Sequence, residues 1–144
     1  MVLSGKKCIV TGGAGFIGSH TCLALLQSGY DLVVLDDYSN SSAKSLQRVL
    51  GLIGIEDPKR LIAVKGDLRN SKDLDRAFSY FQDIKGVIHF AGLKAVGESL
   101  RDPLHYLDVN LNGTRVLLEA MKRNSCRTIV FSSSATVYGY PQKL

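Results

Sequence analysis

The feature that most constrains this chain is Thr11-Gly12-Gly13-Ala14-Gly15-Phe16-Ile17-Gly18, a glycine-rich stretch set between an apolar run and a helical pattern. The run Lys7–Thr11 reads as a buried strand, and Gly15–Ser28 as a helix that is apolar on most sides and therefore buried, with Gly29 at its C-terminal end. Gly13, Gly15 and Gly18 satisfy G-x-G-x-x-G, while Thr11, Gly12, Gly15 and Gly18 satisfy the overlapping T-G-x-x-G-x-x-G. The first pattern is weak alone; the strand before it and the helix after it make it specific. An early glycine permits the tight turn, Gly15 lets backbone approach a pyrophosphate, and Gly18 lets the helix sit close to the sheet. The unpaired N–H groups and positive dipole end of the helix then face the phosphates.

Asp36 closes the second apolar run at nearly the ~20-residue separation expected of a ribose-binding acid. A carboxylate there accepts from the adenosine ribose hydroxyls and repels a 2′-phosphate, and no Arg stands beside it to receive one. The expectation is NAD rather than NADP. The alternative is a solvated strand-end Asp, a part that neighbouring Asp37 could take instead.

Five β-branched runs recur along the chain, at Lys7–Thr11, Asp31–Asp36, Leu61–Lys65, Gly86–Phe90 and Thr128–Phe131. They are continuous rather than alternating, as strands buried on both faces are. Between them lie helical patterns at Gly15–Ser28, Ser41–Gly51, Ser71–Phe81 and Pro103–Lys122; Asn70-Ser71 offers an N-cap, and Pro103 suits a helix start. The alternation predicts an α/β fold: a doubly wound, Rossmann-type parallel sheet with strand order 3-2-1-4-5 and helices on both faces. Length predicts a single domain over residues 1–144.

Composition narrows the class. Apolar content of 45% and charged content of 22% are ordinary for a globular protein. No apolar run approaches the ~18 residues of a membrane span, and Met1–Lys7 does not resemble a signal peptide, so the expected compartment is the cytoplasm. Cys8, Cys22 and Cys126 form no CxxC pair and read as reduced packing residues; no metal site is expected. The net charge of +5 is scattered, without basic runs interleaved with aromatics, so neither nucleic acid nor membrane is an expected partner. Two matches to the glycosylation sequon, at Asn40 and Asn112, carry no weight without a secretory signal.

Other residues fall at the carboxyl ends of the predicted strands, where ligands bind in such sheets. Asp67 follows the third strand, either on the adenosine side or merely as a turn residue. His89-Phe90-Ala91-Gly92 ends the fourth, its small residues letting the chain pass close to a dinucleotide; His89 itself reads as a satisfied core histidine. Lys94 is read as a cation near cofactor phosphates or ribose, against the alternative of a solvated loop lysine. Ser132, Ser133 and Ser134 place hydroxyls after the fifth strand, to meet ligand or to cap the chain. Asn110, mid-helix where Asn has poor propensity, suggests a local polar role.

Three blocks then carry a resemblance: Val10–Thr21, Val87–Ser99 (VIHFAGLKAVGES) and Val130–Gly139 (VFSSSATVYG). With them the chain resembles the extended short-chain dehydrogenase/reductase superfamily and, within it, the UDP-glucose 4-epimerase family. The first block is common among nucleotide-sugar enzymes; the second and third are more specific. The resemblance implies that Gly12, Gly13, Gly15, Phe16, Ile17 and Gly18 hold the NAD diphosphate. It implies further that Asp36, Asp37, Tyr38, Ser39 and Asn40 surround the adenosine ribose, Asp67 and Leu68 meet the adenine, and Phe90, Ala91 and Lys94 line the nicotinamide half. Ser134, Ala135 and Thr136 would meet the UDP-sugar, with Ser134 hydrogen-bonded to the oxygen at C4. Some members carry a second Asn where this chain has Val109, so no cofactor role transfers there.

The implied activity is NAD-dependent 4-epimerisation of UDP-glucose and UDP-galactose, by transient hydride transfer at C4 with a Tyr as general base. The family pattern Tyr-x-x-x-Lys does not occur in the sequence: Gln142 follows Tyr138 by four residues, and Leu144 follows Tyr140. The expectation is an N-terminal, cofactor-binding portion, catalytically inactive alone, with later strands and a substrate domain missing. A homodimer is implied for the full-length family member. The alternatives are a truncated nucleotide-binding or partner-associating protein, and another nucleotide-sugar enzyme such as a dehydratase or decarboxylase.

Overall fold

The β-branched runs form the parallel strands β1 (Lys7–Thr11), β2 (Asp31–Asp36), β3 (Leu61–Lys65), β4 (Ile84–His89) and β5 (Ile129–Phe131) in a computed structural model that describes residues 6–54, 57–134, 137 and 139. Their order is β3-β2-β1-β4-β5, the doubly wound arrangement that the alternation predicted. Central β1 aligns Val10 with Val34 of β2 and with Ile88 of β4.

Alternate residues of each strand feed opposite cores. Ile9, Val33, Leu35 and Val64 pack with Leu74 and Phe78 of α3 (Ser71–Ser79) and with Val116, Leu117 and Met121 of the last described helix. Cys8, Val10, Leu32 and Val34 pack with Cys22 and Leu26 of α1 (Phe16–Gln27) and with Leu46 and Val49 of α2 (Ala43–Ile53). Side chains two apart share a face of a strand, so helices on both faces explain why these strands are apolar without alternation. Ser42 caps α2 and Asn70 caps α3, each accepting from the amide two residues on. Gly29, at φ +83°, ends α1: its N–H donates to the Leu26 carbonyl and that of Tyr30 to the Leu25 carbonyl, closing a Schellman turn.

Three expectations are corrected. The first helix is not buried on most sides: Gly18, Ser19, Cys22 and Leu26 are buried, but Phe16 and Ile17 are 81% and 53% exposed. A helix lying on one sheet face buries one stripe, here Gly18, Ser19, Cys22 and Leu26, and Phe16 and Ile17 lie off it. The expected helix Pro103–Lys122 is not continuous. It runs as α5 (Pro103–Leu107), a π-turn (Asp108–Asn112) and α6 (Gly113–Arg123), and within the π-turn Asp108 and Asn110 turn their side chains to neighbouring loops. A short helix, α4 (Val96–Arg101), stands where none was expected; it buries no residue and so leaves no periodic signal. Strand limits also move: β4 begins at Ile84 rather than Gly86 and ends at His89, and β5 begins at Ile129. Among the described residues no helix is long and apolar enough to cross a membrane.

Candidate cofactor site

The glycines of the turn between β1 and α1 divide into packing positions and one open position. Gly12 has φ +67°, and a Cβ there would meet the Ala91 amide nitrogen at 2.6 Å. A Cβ on Gly18 would lie 2.3 Å from the Gly12 carbonyl oxygen, and one on Gly13 would lie 2.6 Å from Val34 Cγ1. Above Gly15 the nearest atom to such a Cβ is the Gly12 oxygen, at 3.4 Å. The turn is thus packed at three glycines, against β2, against the chain after β4 and against itself, and open over the fourth, at the N-terminus of a twelve-residue helix. That cradle suits a diphosphate, with the amides of the first helical turn as donors.

Asp36 braces this turn. It is 7% exposed, and its Oδ2 accepts from the Ala14 N–H at 2.9 Å. Its Oδ1 accepts from the Tyr38 N–H at 3.0 Å and from the Ser41 hydroxyl at 2.8 Å. A carboxylate offers about four acceptor sites, so capacity is left for a ribose hydroxyl. Asp37, by contrast, is exposed and accepts from the Ser39 N–H and hydroxyl, both at 2.8 Å. The two neighbouring acids are therefore distinguished: Asp36 belongs to the turn and Asp37 to the solvated loop, with Ser39 and Asn40 exposed beside it. Tyr38 holds φ +61°, a left-handed conformation that a large side chain adopts at a cost. Its phenol pKa is raised, by burial first and by the Asp36 charge second.

After β3, Asp67 is gripped by Arg69, whose Nη2 lies 2.6 Å from Oδ2. Hydrogen bonding to Arg69 holds the Asp67 carboxyl below the usual range. Arg69 also reaches Asp108 of the π-turn at 2.7 Å. Leu68 is buried in the core shared with α3 and α6. The structure therefore places Asp67 at the sheet edge while directing Leu68 inward.

At the end of β4, His89 is buried and fully partnered. Thr114 Oγ1 donates to the Asn110 carbonyl at 2.6 Å, so it accepts from His89 Nε2–H at 3.0 Å. Nδ1 is then the acceptor for the Thr11 hydroxyl, at 2.6 Å. The imidazole is neutral, and burial pushes its pKa down to about 4. His89 is a structural tie between β1 and α6, as its sequence context predicted. Phe90 and Ala91 are half-buried beyond it, and Lys94 is exposed in the loop before α4. Ser134 is exposed past β5; Ala135, Thr136, Tyr138 and Tyr140 lie outside the described residues. The three cysteines are buried free thiols, with burial raising Cys8 to about 11 and Cys22 to about 12. Among the described residues no cluster of potential metal ligands occurs.

Sequence reasoning missed Arg69 and Thr114, and read Thr11 as part of the glycine pattern without its bond to His89. Arg69 left a local signal, an Asp two residues before it; the contacts of the two threonines act across the fold and left none.

This geometry agrees with what the chain is similar to. The NAD dependent epimerase/dehydratase family model matches residues 8–144. A bifunctional UDP-glucose 4-epimerase and UDP-xylose 4-epimerase 1 from Pisum sativum is 49% identical over 144 residues, covering 100% of this chain and 41% of the relative. The UDP-glucose 4-epimerase of Bacillus subtilis is 54% identical over 134 residues, covering 93% of this chain and 38% of the relative. The crystal structure of UDP-glucose 4-epimerase from Bifidobacterium longum in complex with NAD+ and UDP superposes with a TM-score of 0.88 at 47% identity, covering 96% of this chain and 40% of that one. The chain thus spans about two-fifths of the length of the relatives it matches.

Proposed function

The chain belongs to the NAD dependent epimerase/dehydratase family, and on that premise we propose that it is the cofactor-holding portion of an enzyme that interconverts UDP-glucose and UDP-galactose at C4. One observation carries this reading. The open glycine cradle and its Asp36 brace occur in a chain about half identical, along nearly its whole length, to UDP-glucose 4-epimerases. Residues 1–144 are then the N-terminal part of an NAD-binding Rossmann domain. In the whole protein the partners are a UDP-sugar and a second copy of the chain, in the cytoplasm.

NAD, when bound, supplies the transient hydride acceptor for oxidation at C4. The turn from Gly12 to Gly18 holds the diphosphate, and Asp36 takes a ribose hydroxyl on its remaining acceptor capacity while repelling a 2′-phosphate. Asp37, Tyr38, Ser39 and Asn40 flank that ribose. Asp67 and Leu68 close the adenine side, and Phe90, Ala91 and Lys94 the nicotinamide side. Ser134 donates a hydrogen bond to the C4 oxygen, and Ala135 and Thr136 adjoin the sugar. Removing the C4 hydroxyl proton requires a base. The family pattern that provides one, Tyr-x-x-x-Lys, is absent from these residues.

The 144-residue chain is accordingly expected to bind NAD more tightly than NADP in calorimetric titration and to leave UDP-galactose unconverted. Equal affinity for the two dinucleotides would count against Asp36 as the ribose acid. Conversion to UDP-glucose at a normal enzymatic rate would overturn the assignment of the base to residues outside this chain.

A further inference from the structure

Lys94 is an exposed cation that makes no ion pair among the described residues, yet the backbone on either side of it is held at several points. Asn110 Oδ1 accepts from the Leu93 N–H at 2.8 Å, and Asn110 Nδ2 donates to the Leu93 carbonyl at 2.9 Å. On the other side, the Tyr106 hydroxyl accepts from the Ala95 N–H at 3.1 Å. Its single proton goes to the Ala95 carbonyl or to Glu98 Oε2, each 3.0 Å away. Gly92 admits this approach, since a Cβ there would lie 3.1 Å from Asn110 Oδ1.

The clasp is built on a helical repeat. Tyr106, Asn110 and Thr114 recur every four residues and share a face; Thr114 continues the line to buried His89. Asp108, two residues from either clasp residue, points elsewhere and reaches Arg69 and through it Asp67. The π-turn therefore joins the loop after β3 to the loop after β4, and π-turns of this length recur at functional sites. Burial does not account for the clasp. The Leu93 and Ala95 groups engaged by Asn110 and Tyr106 lie in exposed bonds, where water could serve them equally. What the side chains add is a fixed conformation for a loop that solvent would leave free.

We propose that Asn110 and Tyr106 are positioning residues that act through Lys94, pre-setting its ammonium for the dinucleotide so that ordering this loop is not charged against binding. The proposal rests on the cofactor reading above. Its test is a double-substitution cycle on the full chain, read by calorimetric NAD titration, thermal midpoint and amide hydrogen exchange at Leu93 and Ala95. Asn110→Ala is expected to quicken exchange at Leu93 and weaken NAD about fivefold when Lys94 is present, and less than about twofold in a Lys94→Met background. Tyr106→Phe, which removes only the hydroxyl, is expected to show the same pattern at Ala95 and serves as the measure if Asn110→Ala fails to fold. Equal losses in both backgrounds, or unchanged affinity despite faster exchange, would overturn the clasp while leaving the cofactor reading intact. No NAD binding by the unsubstituted chain would overturn that reading and the clasp with it.

Discussion

Two buried ionisable side chains, Asp36 and His89, sit on the two strands that flank β1, at the carboxyl edge of the sheet. Asp36 accepts from two amides and a hydroxyl. His89 has a hydroxyl donor on one nitrogen and a hydroxyl acceptor on the other, which suits only the neutral ring. The consequence is a pH dependence with a definite sign. In the unfolded chain the imidazole takes a proton near 6.5, whereas in the folded chain it resists until about 4. Between these values the unfolded state binds more protons, so stability rises with pH across that window and is complete above it. A displacement of this size corresponds to about 3 kcal/mol. Asp67 and Asp108, whose carboxyls are held below their ordinary value of 3.8, lose their contribution only at lower pH and leave the window to His89. Urea unfolding at pH 7.5 and pH 4.5 is expected to show this loss in the unsubstituted chain and a markedly smaller one in His89→Gln. Equal pH slopes in the two proteins would exclude the imidazole as the source.

At the scale of elements, capping is where a local sequence signal has a measurable consequence. Asn70 accepts from the Lys72 N–H at 3.0 Å, and the helix it opens carries Leu74, Ala77 and Phe78 into the core. Asn70→Ala is expected to destabilise the fold by about 1 kcal/mol and Asn70→Gly by only a few tenths, measured by the shift of the urea midpoint at constant slope. If alanine and glycine cost the same, the cap is not what holds that helix end. Elements of this kind were legible because their determinants are contiguous: a cap beside its helix, a continuous apolar run for a strand covered on both faces. The π-turn was not legible. The side chains it carries, Asn110 on Leu93 and Asp108 on Arg69, make contacts between segments distant in sequence. Helix α4 escaped for a different reason, since it buries nothing and propensity alone is a weak guide over six residues. Within the candidate site the same division holds. The glycine turn and Asp36 could be read from spacing, whereas the grip of Arg69 on Asp67 and the tie from Thr11 to Thr114 through His89 needed the fold.

Across the whole molecule the two edges of the sheet differ in chemistry. The β3 edge follows Lys59 and ends on Lys65, so a lysine flanks it at either end. The β5 edge is Ile129-Val130-Phe131 without a charge, and Val130 and Phe131 are each 58% exposed. Uncharged apolar edges invite pairing with another chain. A second apolar surface lies on the helical stretch from α4 to the π-turn, where Leu100, Leu104, Leu107 and Leu111 are all exposed. Contiguous apolar exposure of this kind favours association. The 144-residue chain is therefore expected to self-associate as its concentration rises, and the two surfaces can be separated by substitution. Val130→Lys places a charge on the edge strand, whereas Leu104→Lys places one on the helical stripe; neither touches the glycine turn or Asp36. Sedimentation velocity should show Val130→Lys returning the larger share of material to monomer, because edge pairing satisfies backbone groups as well as burying side chains. Recovery of monomer only by Leu104→Lys would assign association to the helices instead. A monodisperse monomer at high concentration for the unsubstituted chain would show that neither surface is adhesive, and that β5 is guarded by something other than charge.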